Sequence, residues 1–327
     1  MAKYKPLIPL CQDDLSPCLV KFRDGLYKIE ECGNTTFLTT THYGQQYVEI
    51  LPDREYVVLR TGEVLKMKPP AETRGENLRT LKNSLARLSK LIDANFERYK
   101  STLTFTLTYK ENMTDTKQLH KDWVNFWKRF QYKLGEDVAT DYIVAFEPQG
   151  RGAWHAHACV FQKKKRFLRS QTLEEIWGLG FVKIGKRPKN LDSLGKYLTA
   201  YLSDVPLSEY AQFVKDLSNE QRLDLMKQKF QIKGEGDREH QFVKGARMLL
   251  YPARFRFFRW SKGIEQPKEK KMILGGQKVL DDYGKCVSAK EYCLNIEGKD
   301  EPLICKSFVF KKKVNEKFRP LAVIEYV

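Results

Sequence analysis

Two of the five histidines in this 327-residue chain, His155 and His157, flank Ala156 within the β-forming run Trp154 to Phe161. Side chains at i and i+2 of a strand share a face, so both imidazoles can reach one ion from a rigid support. Glu147 stands just before a dense turn signal, Pro148-Gln149-Gly150-Arg151-Gly152, and a hairpin there returns its carboxylate to the neighbourhood of His155. Two neutral imidazoles and a carboxylate, with positions left open for water and phosphate oxygens, suit Mg²⁺ or Mn²⁺ assistance at a phosphodiester. The same His-x-His also suits two polar residues on a solvated strand face. A second pair, Tyr197 and Tyr201, falls in a stretch expected to be helical from about 191 to 202. At about 100° per residue, four positions bring the two phenols to within roughly 40° of each other, one turn apart. Both hydroxyls can then serve one site, or both rings can simply pack on a sheet. The polar tip makes a Tyr pair less typical of a core than a Phe or Leu pair.

The surrounding patterns supply a framework for these groups. Leu103-Thr104-Phe105-Thr106-Leu107-Thr108-Tyr109 alternates strictly, which predicts a strand with one buried face and a Thr face free to line a site. Leucines at helical spacing predict an amphipathic helix over 77–98, and Leu119, Trp123, Phe126, Trp127 and Phe130 predict another over 115–133. Runs at 142–146 and 154–161 form the expected hairpin, followed by a helix near 172–177 and a strand at 181–184. This order predicts an α+β fold in which helices cover one face of an antiparallel sheet. Three regions are expected: a small β-rich N-terminal segment (1–75), a core (76–204), and a basic C-terminal extension (205–327), DNA-binding or accessory. The last is helical to about Lys229, and from Val243 onward it holds 19 basic against 10 acidic residues. Its run Arg254 to Trp260 interleaves Arg with Phe until Phe257-Phe258. That composition suits a strand stacking on bases and touching phosphates, or aromatics packed in a core.

Lys and Arg total 58 against 41 Asp and Glu, a net charge of +17. So large an excess on a foldable chain points to a polyanionic partner, nucleic acid before membrane, because no basic amphipathic helix dominates. No apolar run approaches the ~18 residues of a membrane span, so a cytoplasmic protein without a membrane partner is expected. The seven cysteines form no Cys-x-x-Cys pair, which fits reduced thiols better than disulfides or a zinc finger. Lys163, Lys164, Lys165 and Arg166 follow the histidine strand at once, placed either to hold a nucleic-acid backbone or to form a solvated loop. Gly180 to Lys186 satisfies most of a phosphate-loop pattern, but Arg187 replaces the hydroxyl residue and the middle reads as a strand, so ATP binding is not expected.

Taken in order, the alternating Thr strand, the run from Glu147 to His157, and Tyr197-x-x-x-Tyr201 resemble the three motifs of the HUH endonucleases. The chain is most similar to the two-tyrosine rolling-circle replication initiators (Rep proteins) of phages and of plasmids or integrative elements in Gram-positive bacteria. The likeness runs from about Tyr47 to Asp204, with a further echo at Tyr251 to Pro267. The resemblance implies a ferredoxin-like or RRM-like core, with His155, His157 and Glu147 binding the divalent cation. It implies that Tyr197 and Tyr201 are nucleophiles that nick single-stranded or hairpin origin DNA, leaving a 5′-phosphotyrosyl enzyme and a free 3′-OH. Arg151 and Lys196 join Lys163 to Arg166 as candidate DNA contacts, and a host helicase and DNA polymerase as partners. Two-tyrosine phage initiators often have Lys directly before the second tyrosine, whereas this chain has Ala200 there and Lys196 before the first. A relaxase or transposase of the same class, or a non-catalytic nucleic-acid-binding regulator on the same fold, are the alternatives.

Overall fold

A computed structural model describes residues 18–41, 46–70, 78–149 apart from 136 and 139, 152–185, 202, 204–219, 222, 232–233, 241–275 apart from 244, 282–296, 299, 301–312 and 322–326. The chain divides into two compact units, one formed by both ends (Met1–Pro70 with Gln266–Val327) and one by the middle (Ala71–Glu265). This differs from the three expected regions, because contacts across the chain, not composition, decide which segments share a core. The first unit begins with β1 (Cys18–Phe22), β2 (Gly25–Cys32), β3 (Thr35–Thr40), β4 (Val48–Leu51), β5 (Glu55–Val58) and β6 (Val64–Lys66); β4, β5 and β6 form a small antiparallel sheet.

The middle unit holds α1 (Leu78–Phe96), β7 (Ser101–Tyr109), α2 (Thr116–Leu134), β8 (Thr140–Pro148), β9 (Trp154–Gln162), α3 (Ser170–Trp177) and β10 (Gly180–Ile184). After β11 (Val205–Pro206), β12 (Ile232–Lys233) and β13 (Phe242–Val243), which pair in a three-stranded sheet, β14 (Phe258–Trp260) completes the main one. That main sheet is antiparallel with the order β10-β7-β9-β8-β14. The alternation in β7 buries Phe105, Leu107 and Tyr109 and leaves Thr104, Thr106 and Thr108 half-exposed. Asp115 caps α2 by accepting from the backbone N–H of Lys117 (2.7 Å) and Gln118 (3.3 Å). Its aromatic stripe meets the buried face of β7 and β8: Phe126 lies edge-on to Phe105, and Trp123 and Trp127 pack on Tyr142. Trp177 of α3 meets Tyr109 and Phe126. The α+β class therefore holds, with α2 and α3 on one face of an antiparallel sheet. At the β14 edge, Arg87 of α1 stacks 5.1 Å over Trp260 and the Asn95 amide exchanges hydrogen bonds with Glu265 N and O.

In the C-terminal third, the expected helix to about Lys229 is described only over Leu207–Asp216, and most of 217–240 lies outside the described residues. The Arg–Phe run is extended only over Phe258–Trp260, because Arg254 takes a left-handed φ of 61° and Phe255 and Phe257 turn into the core. Core packing, not base stacking, accounts for those two rings.

The first unit resumes with β15 (Lys268–Leu274), β16 (Lys285–Leu294), β17 (Leu303–Lys311) and β18 (Ala322–Tyr326). These complete a five-stranded sheet, β15-β2-β3-β17-β16, and a parallel β1–β18 pair. Phe22, Tyr27, Leu38, Phe308 and Phe310 form its core. Cys159, Cys286, Cys293 and Cys305 are free thiols. No helix among the described residues is long and apolar enough to cross a membrane. Phe126 is fully buried among Phe105, Trp123, Phe130 and Trp177. Phe126→Ala is expected to cost about 3–5 kcal/mol of stability, read as a lower urea midpoint with an unchanged denaturant slope.

Candidate functional site

The β8–β9 hairpin sets the site. Its turn is closed by Gln149 N–H to Ala153 O (2.7 Å) and Gly152 N–H to Gln149 O (2.9 Å), with Gly152 at φ 87°, a conformation that glycine adopts without strain. The resulting register places Glu147 directly opposite His155 and Ala145 opposite His157. Across β7, Thr108 stands opposite His155 and Thr106 opposite His157. Opposed residues of an antiparallel pair share a face, so Glu147, both imidazoles and both threonines point the same way. One ligand atom each from Glu147, His155 and His157 lie within 4.8 Å of one another. The expected convergence of these three residues is thus present in the fold. His157 Nε2 contacts Glu147 Oε2 and its Nδ1 lies 3.1 Å from Thr106 Oγ1, which fixes the ring orientation from both ends.

Glu147 is buried, and its second oxygen is held by a residue a hundred positions away. Arg247, itself buried, places Nη1 2.7 Å from Glu147 Oε1 and donates from the same nitrogen to Pro148 O at 3.1 Å. Burial, the largest influence, pushes the Glu147 carboxyl up; the charges of His157 and Arg247 and the hydrogen bond from His157 outweigh it and hold the group below the usual carboxylate value. Arg247 lies on a 3₁₀ turn, Ala246–Leu250, whose entry is fixed by Gly245 N–H donating to Asp204 Oδ1 (2.9 Å). The residue after that turn, Tyr251, shares its hydroxyl between the carbonyls of Phe146 (3.0 Å) and Leu202 (3.1 Å). Burial raises the Tyr251 phenol well above its ordinary value, with Glu147 adding to the rise, and the fully buried, hydrogen-bonded hydroxyl serves a structural role. The turn 246–251 therefore braces the β8 end that carries Glu147.

The other sequence candidates are distributed differently. Tyr197, Tyr201, Lys196 and Arg151 lie outside the described residues. Lys163 to Arg166 follow the far end of β9, and even Lys163, the nearest, is six residues from His157 and eight from His155, or roughly 20 to 26 Å of extended chain. The loop is thus distant from the candidate ligands, and part of it is structural: Lys164 pairs with Asp137 (2.9 Å), and Arg166 donates to Leu134 O at the end of α2. Gly180 to Ile184 is a strand, as expected, and Gly180 and Gly185 are small because a Cβ at either would collide with Thr108 O or Thr104 Oγ1. Arg247 and Tyr251 were not singled out from the sequence: Arg247 is one of 58 basic residues, without a motif, and its partners come from β8 and residue 204. Removing one partner of a buried ion pair strands the other. Arg247→Met is therefore expected to lower stability by about 3–5 kcal/mol in urea unfolding with EDTA present, and Arg247→Lys to lose less.

No curated protein and no solved structure matches the chain. Residues 102–205, about a third of the chain, match the family of the replication-associated protein ORF2. The matched segment runs from β7 to the first residue of β11 and contains Glu147, His155, His157, Tyr197 and Tyr201, but not Arg247. The match supports a role in DNA replication, on a segment whose sheet carries a His–His–Glu cluster able to hold a metal ion.

Proposed function

We propose that the chain initiates rolling-circle replication by nicking single-stranded DNA at an origin and later rejoining the strand. The observation that carries this reading is the convergence of Glu147, His155 and His157 on one sheet face within a segment similar to replication-associated proteins. Two imidazole nitrogens and a carboxylate oxygen on one side of an ion form a suitable donor set for Mn²⁺ or Mg²⁺, with the remaining positions open to phosphate and water. When bound there, the metal would supply Lewis-acid polarisation of the scissile phosphate. The chain's own residues do the rest. Arg247 keeps Glu147 ionised, Thr106 orients His157, and the phenol of Tyr197 or Tyr201 attacks phosphorus. The tyrosine O–P bond forms as the P–O3′ bond breaks; the phenol loses its proton and the departing oxygen gains one, leaving a 5′-phosphotyrosyl enzyme and a 3′-OH. Attack by a 3′-OH on that linkage reverses the step and rejoins the strand.

The test is incubation with a single-stranded origin library and Mn²⁺, looking for a covalent protein–DNA adduct. His155→Ala and His157→Ala are expected to abolish the adduct while leaving DNA affinity within a fewfold of wild type, because recognition is spread over many phosphate contacts. Each single Tyr→Phe enzyme is expected to nick, and the Tyr197→Phe, Tyr201→Phe double variant to form no adduct. Binding without an adduct under any condition would instead identify a non-catalytic regulator. With about six phosphate contacts, affinity is expected to fall roughly a thousandfold between about 50 and 200 mM salt by fluorescence anisotropy. A salt-independent affinity would contradict the role given to the +17 charge.

A further inference from the structure

Cross-strand register puts Phe181 of β10 opposite Thr108, Thr108 opposite His155, and His155 opposite Glu147. One row across four strands therefore reads Phe181, Thr108, His155, Glu147, all on one face. The adjoining row reads Lys183, Thr106, His157, Ala145. Strands lie about 4.8 Å apart, so the backbone at Phe181 is roughly 10 Å from His155. Phe181 is 62% exposed, whereas Val182, on the opposite face, is buried against the core. Lys183 is exposed too, and Thr106 and Thr108 between them and the histidines are half-buried.

The occupant of this surface can be narrowed. β10 is the edge of the sheet, but Val182 N–H already donates to Glu174 Oε1 (3.3 Å) and Val182 O already accepts from Ser170 Oγ (3.0 Å). A partner strand cannot extend the sheet through that position, so recognition must come from side chains on the face. An exposed aromatic flanked, among the described residues, by a cation and hydroxyls is too polar for an apolar protein contact. It matches a stacking platform for single-stranded nucleic acid, where a ring takes a base and a cation takes the phosphate.

We infer that Phe181 and Lys183 form a single-stranded DNA subsite beside the candidate metal centre, with Phe181 stacked on one nucleobase and Lys183 paired to a flanking phosphate. This rests on the reading that the chain acts on single-stranded DNA. Stacking uses the π-face that every base has, so the subsite holds the strand without reading its sequence. The DNA path then runs along the rows, from the β10 edge toward Glu147.

The test is binding of the full chain to single-stranded oligonucleotides carrying 2-aminopurine at successive positions, in EDTA so that neither metal nor cleavage contributes. Phe181→Ala is expected to weaken binding by about ten- to a hundredfold and to abolish quenching at one probe position, with Phe181→Trp restoring both. Lys183→Ala is expected to reduce the salt slope by about one without removing the quench. Thermal unfolding should be unchanged in each variant. Wild-type affinity and quenching in Phe181→Ala would overturn the subsite while leaving the replication reading in place. Equal losses on duplex and single strand would also overturn it, since duplex bases have no free face. Failure of the wild-type chain to bind any single strand would overturn both.

Discussion

A carboxylate buried at the end of β8 is the constraint around which the middle unit is arranged. Taking an ion out of water costs several kcal/mol after relaxation, and only close counter-charges and hydrogen bonds offset that cost. Glu147 has both, one oxygen facing the His157 imidazole and the other the Arg247 guanidinium. Each neighbour has its own support: Thr106 at the far nitrogen of His157, and Asp204 and Pro148 carbonyls around Arg247. The polar network is thereby closed on the protein side while one face stays toward the histidine pair. A group held ionised and fixed in place needs little reorganisation when a cation arrives.

The sequence made some of this geometry legible and hid the rest, for physical reasons. Strand periodicity is local, so β7, β9 and the shared face of His155 and His157 follow from alternation alone, and the turn at 148–152 brings Glu147 back to His155. The α2 stripe is equally local, down to Asp115 as its cap. Arg247 is a tertiary matter: its value lies in three partners from β8 and residue 204, and nothing in Ala246-Arg247-Met248 signals them. The Arg–Phe run left base stacking and core packing both open because composition does not show that Arg254 leaves the extended region, turning Phe255 and Phe257 inward. For Lys163 to Arg166, nearness in sequence to the histidine strand is not nearness to the histidines, because the strand spans the whole sheet.

The division into units has a consequence for assembly. The first unit needs β2 and β3 from one end of the chain and β15, β16 and β17 from the other. Its main sheet cannot close until the intervening middle unit has been made. Loop closure grows only as the logarithm of length, about 0.6 kcal/mol per doubling, so a long insertion is thermodynamically tolerable. Its kinetic effect is larger, since strands separated so widely in sequence pair slowly.

Arg247 lies beyond the matched residues 102–205, and this sets the boundary of the module that can be moved between proteins. A graft cut at residue 205 would carry the histidine pair, Glu147 and the tyrosine stretch, yet leave the carboxylate without its guanidinium and the β8 end without the Tyr251 hydroxyl. The transplanted acid would then be free to take up a proton or to turn toward whatever cation the host surface offers. Inheritance of the cluster as a unit therefore requires the chain through Tyr251, and a segment exchange would preserve it only where the crossover falls after that residue.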